Sequence, residues 1–241
     1  MAMLSTRLLR HEQIAEGTMA FHFEKPAGFG FVPGQAMDVV LRQPASAADP
    51  RDGVHAFSIV SAPHENDLTI ATRMRDTPFK NALGRLPIGS AIQIDGPFGE
   101  LCLQGGPEHA AVCIAGGIGI TPFMSMLRHA EHEQSPQPLR LVYANHRPEE
   151  AAFLGELKRM EAKNPQFGLL ATMTRLARAG LPWSGHTGAV DGELLAAVAE
   201  PLPAPIFYVA GPPAMVESMQ QVLADAGVPP EAVCSEGFDG Y

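Results

Sequence analysis

The eighteen residues Ala110–Leu127 (AAVCIAGGIGITPFMSML) carry no charge, and no other segment constrains the fold of this chain as tightly. Their number reaches the length at which an apolar run can span a bilayer as a helix. Gly116, Gly117, Gly119 and Pro122 stand at the centre of the run, however. Glycine weakens a helix interior, and proline removes a donor and collides with the preceding turn, so a spanning helix would break there. The same residues suit a buried strand, a glycine turn and a helix start: HAAVCIA over 109–115, the turn, then a helix over Pro122–Glu133. A strand this uniformly apolar is covered on both faces, as strands of a parallel sheet are.

The rest of the C-terminal half repeats that pattern. Apolar strands are expected at LRLVYA (139–144), FGLLATMT (167–174), IFYVAG (206–211) and AVCSEGF (232–238). Helices over Glu149–Lys163, Asp191–Glu200 and Pro213–Ala226 alternate with them, which indicates an α/β doubly wound parallel sheet with helices on both faces. The N-terminal half has a different period. Turn signals at Pro26, Pro33-Gly34, Pro44, Pro63, Pro87 and Gly96-Pro97 recur about every 8–12 residues, the spacing of a small antiparallel barrel or sandwich. Strand candidates between them are Thr18–Glu24, Gln35–Arg42, His55–Ser61, Leu68–Met74 and Ala91–Ile94, with a short helix at Pro78–Leu86. The expectation is a two-domain chain: an N-terminal antiparallel β-barrel over residues 1–104 and an α/β domain over 108–241, joined near 104–108.

Charge limits the partners. The chain has 17 Lys and Arg against 26 Asp and Glu, a formal net charge of −9, which argues against binding along a nucleic-acid backbone. After Arg178 no Lys or Arg follows, whereas eight acids do. An anionic ligand held by that half must therefore be held mainly by backbone amides. Hydrophobic residues, at 46%, supply ample core and exclude a disordered chain. Cys102, Cys113 and Cys234 are scattered, too few for a conventional iron–sulfur cluster and without zinc spacing. They read as reduced thiols, and MAMLSTRLLR contains no apolar run of signal-peptide length, so the expectation is a cytoplasmic protein without a membrane span. His109, His129 and His132 suggest surface or core histidines, and no metal site is expected.

The chemistry-bearing signals are turns. Gly116-Gly117-Ile118-Gly119-Ile120-Thr121-Pro122 follows a buried strand and opens a helix. Glycines there let a pyrophosphate approach the backbone, where unpaired N–H groups and the helix dipole favour an anion. Such a turn is also a common packing bend, and this one departs from GxGxxG where Thr121-Pro122 replaces the third glycine. A second turn, Ala210-Gly211-Pro212-Pro213, likewise ends a buried strand and starts a helix, so both lie where doubly wound sheets bind ligands. His55-Ala56-Phe57-Ser58, near the start of a barrel strand, places an aromatic ring next to a hydroxyl, a pair suited to a planar ligand though equally to a core.

Taken in order, FVPGQ (31–35), HAFSIVSAP (55–63), GPFGEL (96–101), GGIGITP (116–122), AGPPAM (210–215) and EGFDGY (236–241) resemble the ferredoxin–NADP reductase-like superfamily of flavoprotein reductases. The resemblance covers nearly the whole chain. It implies a flavin-binding barrel followed by a nicotinamide-dinucleotide domain, with FAD (rather than FMN) bound between them and NAD(P)H as co-substrate. Phe57 matches the aromatic of the Arg-x-Tyr/Phe-Ser motif that packs on the isoalloxazine. Ser58 matches the hydroxyl near flavin N5, and Glu236 the C-terminal acid near the nicotinamide ring. Arg73 or Arg75 would meet phosphate, and the segment Pro78–Leu83 with Lys80 would cup the pyrophosphate. Gly116, Gly117, Gly119, Thr121 and Pro122 match the nicotinamide-side turn, Gly211 and Pro212 the Cys-Gly-Pro motif, and Phe238 or Tyr241 would cover the flavin.

This sequence departs from the family at three points. His55 replaces the motif arginine and, being mostly neutral at pH 7, is the weaker clamp; Lys80 compensates part of the lost charge. Ala210 replaces the Cys-Gly-Pro cysteine. Thr174 and the last cations of the chain, Arg175 and Arg178, lie just past the third α/β strand, where a 2′-phosphate would be met, and leave NADH and NADPH both open. The expected activity is an NAD(P)H-dependent flavoprotein oxidoreductase that passes electrons from FAD to a separate acceptor: ferredoxin, flavodoxin or an oxygenase component. The alternatives are a reductase of free flavin, an electron-transfer or regulatory subunit of a larger complex, and a nucleotide-binding protein with no redox role.

Overall fold

Six strands of the N-terminal half are β1 (Leu4–Ala15), β2 (Thr18–Glu24), β3 (Ala36–Val40), β4 (Val54–Ser58), β5 (Asp67–Arg73) and β6 (Ala91–Phe98), with one helix, α1 (Pro78–Gly84). The computed structural model describes residues 3–41 and 53–238. The six strands form one antiparallel sheet in the order β4-β3-β6-β1-β2-β5. Beyond β4 the chain curls back onto β5, where Val60 N–H donates to the Thr69 carbonyl at 2.7 Å, so the two ends of the sheet approach each other. Phe21, Phe23, Met37, Val39, Leu68, Ile70 and Ile94 fill the enclosed core, and α1 seals one end with Phe79 and Leu83. Pro78 begins that helix, where its missing N–H costs nothing, and Thr77 caps it by accepting from the Lys80 N–H.

The C-terminal half contains β7 (Ala111–Gly116), β8 (Leu139–Asn145), β9 (Phe167–Met173), the two-residue β10 (His186–Thr187), β11 (Ile206–Gly211) and β12 (Val233–Gly237). All pair in parallel in the order β10-β9-β8-β7-β11-β12. The chain winds outward from β7 through β8 to β10, then returns to add β11 and β12 on the other side. Four helices cover the sheet: α2 (Thr121–His132), α3 (Leu154–Lys163), α4 (Gly192–Ala199) and α5 (Pro213–Asp225). Alternate residues of the strands point to opposite faces. Cys113, Leu141, Tyr143 and Tyr208 pack with α2 and α3, whereas Val112, Ile114, Val142 and Val209 pack with α4 and α5. Ala20, Val60 and Ala71 of the first sheet join the α2–α3 side, so the two halves share one core cluster.

Every segment read as a strand or helix is present, with ends shifted by a few residues. The helix expected over Glu149–Lys163 begins only at Leu154, after a left-handed residue, Phe153, at φ 61°. The Tyr143 hydroxyl takes the Ala152 carbonyl and Arg147 takes the carboxylates of Glu149 and Glu150, which commits this stretch to a turn. β1 and β10 were not expected. β1 is central in its sheet, yet from Leu9 to Gln13 every residue is exposed, so it lacks the alternation that marks a strand. Arg42, at the end of one expected strand, and the break at Pro44 lie outside the described residues. No helix among the described residues is long and apolar enough to cross a membrane.

Candidate active site

The reversal of strand order between β7 and β11 leaves a crevice at their carboxyl ends, and both proline–glycine turns open there. Gly116 and Gly211 bring the turns together: a Cβ on Gly211 would lie 3.2 Å from Gly116 Cα, and one on Gly116 would meet Pro212 and Met215. Gly117 has φ +55°, and a Cβ there would find no atom within 4 Å, so its backbone faces open space. That space is a cavity of about 470 Å³. Of the residues singled out from the sequence, Arg73, Arg75, Gly116, Gly117, Thr174 and Pro212 line it.

The remaining members of the glycine turn do other work. A Cβ on Gly119 would fall on the Ala210 carbonyl group and within 2.7 Å of Gly211 Cα, so this glycine permits the close approach of β7 and β11. Thr121 and Pro122 are buried; the Thr121 hydroxyl donates to the Ile118 carbonyl at 3.0 Å, closing the turn from within. Neither residue lines the cavity. Arg175 lies beside it with Arg178, in a separate shallow cavity of about 310 Å³.

Asn145, His146 and Ser218, not singled out from the sequence, also line the cavity at Gly117, as does Met215 at the end of the AGPPAM segment. Asn145 ends β8 and His146 follows it, so the rule that directed attention to the ends of β7 and β11 would have found them at the end of the neighbouring strand. The Asn145 side chain is buried with neither amide atom hydrogen-bonded. His146 Nδ1 meets the Thr174 hydroxyl at 2.9 Å; burial, followed by the charge of Arg175, holds its pKa below the usual value.

On the side of the first sheet, Ser58 is buried and its hydroxyl has no hydrogen-bond partner. Phe57 is half-buried, with its ring 5.9 Å from Phe79, and exposed His55 lies 4.2 Å from the same ring. Burial lowers the Lys80 pKa and the nearby charge of Arg75 lowers it further, so the two cations share one neighbourhood. Arg73, by contrast, is engaged: its guanidinium donates to Glu150 at 2.7 Å.

Glu236, near the end of β12, lines a different cavity of about 430 Å³ with Glu100, Leu101, Gln104, Cys234 and Ser235. Burial raises its carboxyl pKa. Phe238 follows, its N–H donating to the Gly211 carbonyl at 3.0 Å, while Tyr241 lies outside the described residues. The structure also stacks His64 on His132 at 3.7 Å, with His129 close by, at the seam between the halves. No group of three or more His, Cys, Asp or Glu among the described residues is arranged to hold a metal ion.

A parallel sheet with a glycine-turn cavity at its switch point, walled by arginines from an antiparallel sheet, defines a dinucleotide-binding α/β protein. The comparisons narrow this. Residues 113–221 match the oxidoreductase NAD-binding domain family. The chain is 27% identical over 220 residues to the reductase component of propane 2-monooxygenase from Mycolicibacterium smegmatis, covering 89% of this chain and 61% of that one. It is 27% identical over 246 residues to ferredoxin–NADP reductase B from Sorangium cellulosum, covering 97% and 96%. A ferredoxin NADP+ reductase from Neisseria gonorrhoeae, solved with FAD and NADP, superposes with a TM-score of 0.80 at 22% identity over 98% of both chains. Residues 113–221 thus match an oxidoreductase NAD-binding domain, and over nearly its whole length the chain is similar to reductase components and ferredoxin–NADP reductases. It spans about three fifths of the length of several reductase components that it matches.

Proposed function

We propose that this protein is an NAD(P)H-dependent flavoprotein reductase that binds FAD and delivers electrons to a separate acceptor, a small redox protein or an oxygenase component. The observation that carries this reading is the cavity beyond β7, β8, β9 and β11, where a glycine turn with open space at Gly117 faces Arg73 and Arg75 of the other sheet. Bound FAD would supply the exchange between a two-electron donor and a one-electron acceptor, chemistry that no side chain performs.

The residues present fit that group. The buried, unpartnered Ser58 hydroxyl is costly to keep unless a ligand completes it. Phe57 and His55 offer flat surfaces beside it, and Lys80 with Arg75 concentrates positive charge for an anionic tail. Gly117, Thr174 and Pro212 would hold the nicotinamide dinucleotide, with backbone N–H groups meeting its pyrophosphate. Glu236, its carboxyl raised by burial, would keep a proton or a hydrogen bond available near the reacting ring. The protein's task is positioning and exclusion of water. Ile118, Ala144, Val190, Met215 and Met219 give the cavity an apolar lining.

The seam near residues 104–108 would divide a flavin domain (1–104) from a dinucleotide domain (108–241). Gln104 N–H, at that seam, donates to the buried Tyr208 hydroxyl at 2.8 Å, which pins the connection to β11. Three free thiols support a reducing compartment such as the cytoplasm. The acceptor would lie outside these 241 residues, since three cysteines do not build a cluster.

Anaerobic titration of the purified protein with NADH and, separately, NADPH tests the proposal. Bleaching of a bound flavin spectrum at one equivalent is expected, and the tighter dinucleotide identifies the donor. Colourless protein that oxidises NAD(P)H only when flavin is added would replace bound FAD by free flavin as substrate. No bleaching with either dinucleotide would remove the redox function.

A further inference from the structure

Arg73 lines the large cavity, yet its guanidinium is already committed. It donates to Glu150 at 2.7 Å, and the two side chains are 27% and 10% exposed. Glu150 also accepts from Arg147 at 2.6 Å, and Arg147 reaches back to Glu16, in the β1–β2 turn, at 2.9 Å. The chain of charges Glu16–Arg147–Glu150–Arg73 therefore passes between the two sheets twice, and only its last member borders the cavity.

The two arginines of this chain are held differently. Arg147 contacts three carboxylates, those of Glu16, Glu149 and Glu150, and is a fixed clamp. Arg73 contacts one, through a single terminal nitrogen. Burial pushes the Glu150 carboxyl up, but hydrogen bonds from Arg73 and Arg147 outweigh it and hold the group ionised. If Arg73 turned away, Glu150 would still be paired with Arg147, so no buried charge would be stranded. Loss of a sole partner is what makes breaking a buried ion pair costly. Carboxylate and phosphate can each present two oxygens to the guanidinium fork, so an anion in the cavity competes directly with Glu150.

We propose that Glu150 is an internal counter-ion that competes with the anionic part of the dinucleotide for Arg73, and so sets the affinity of the cavity for phosphate-bearing ligands. The inference rests on the reading of the cavity as a dinucleotide site. Glu150 touches no ligand in this scheme; it is a positioning residue acting through Arg73. Occupancy also loosens one of the two crossings this chain of charges makes between the halves while leaving the other, Arg147–Glu16, in place.

Calorimetric titration with ADP, inorganic pyrophosphate and adenosine tests it without requiring turnover. In Glu150→Gln, ADP and pyrophosphate are expected to bind about 5–10-fold more tightly, with adenosine unchanged. Glu150→Asp, whose shorter side chain cannot reach Arg73 while staying on Arg147, should show the same sign of effect and guards against a folding defect in the first variant. In an Arg73→Gln background the gain should vanish, because the competed group is gone. Unchanged or weaker ADP binding in both Glu150 variants, or a gain that persists without Arg73, overturns the inference. Failure of every variant and the parent protein to bind either ADP or adenosine overturns the dinucleotide reading instead, a distinct result.

Discussion

Gly117 and Gly119 stand two residues apart in one turn, and the structure gives them opposite roles that a pair of alanine substitutions separates. At Gly117 a Cβ meets nothing within 4 Å, so the cost of Gly117→Ala is the left-handed backbone alone, φ +55°, about 1 kcal/mol. For a chain of this length that lowers Tm by about 2–4 °C. The methyl group points into open space where a pyrophosphate would approach the backbone, so ADP affinity should fall about tenfold, equivalent to ~1.4 kcal/mol. At Gly119 a Cβ lies 2.6 Å from the Ala210 carbonyl carbon and 2.7 Å from Gly211 Cα. Both are backbone atoms of the neighbouring strand and turn, so no rotamer change relieves the contact. Separating β7 from β11 should cost at least about 3 kcal/mol, at or above the upper end for overpacked cores, and lower Tm by about 6–12 °C. Differential scanning calorimetry with ADP titration reads both quantities. A Gly119→Ala protein that melts within about 2 °C of the parent, or a Gly117→Ala protein that melts lower than the Gly119→Ala protein, would refute the division of labour.

Ser58→Ala should leave Tm unchanged or raise it, because it deletes a buried hydroxyl without a partner, while slowing reduction by NAD(P)H; a clear loss of stability would show that the hydroxyl is already satisfied. Glu236→Gln should raise Tm slightly at pH 7. Its folded carboxyl pKa is raised by burial, so the folded form favours the proton and stability declines as pH rises from the unfolded value of about 4.5 through the folded one. Thermal melts from pH 4 to 8 should show that decline flattened in the variant. His64→Asn should flatten the opposite limb: burial and the facing His132 lower the His64 pKa, so stability falls as pH drops below about 6.5. An unaltered acid limb would mean that the stacked histidines do not titrate against folding.

The fold was legible where one physical signal dominated a segment. β7, β8 and β11 are apolar on both faces because helices cover both, and that uniformity is visible in Ala111–Ala115 or Ile206–Ala210 without any structure. β1 was not legible, since Arg7 and the whole run Leu9–Gln13 are exposed and break the alternation of buried and exposed residues. The site was half legible. Glycine and proline reveal turns, so Gly116, Gly117 and Pro212 stood out. Their neighbours Gly119 and Thr121 share the motif but serve packing, Gly119 against the end of β11 and Thr121 against the Ile118 carbonyl of its own turn. Asn145 and His146 belong to no compositional signal and acquire their place only from the register of β8 against β7.

The charge distribution along the chain now has a spatial explanation. The C-terminal half has no cation after Arg178, yet the cavity at its sheet ends is not devoid of positive charge, because β5 and the residue pair following it supply Arg73 and Arg75 from the other sheet. On the proposed reading, backbone amides and side-chain cations for one anionic ligand would come from different halves of the molecule. Anion capture would then depend on the two sheets remaining docked, and the clamp at Arg147 would become a determinant of affinity. Neutralising Glu16 should weaken ADP binding without altering any cavity residue, and should make that binding more sensitive to salt, since the remaining link through Arg73 is partly exposed and the ligand competes for it. If Glu16→Gln binds ADP as the parent does across 20–500 mM salt, the Arg147–Glu16 link is not needed for docking, and the shared apolar core with the other contacts across the seam suffices.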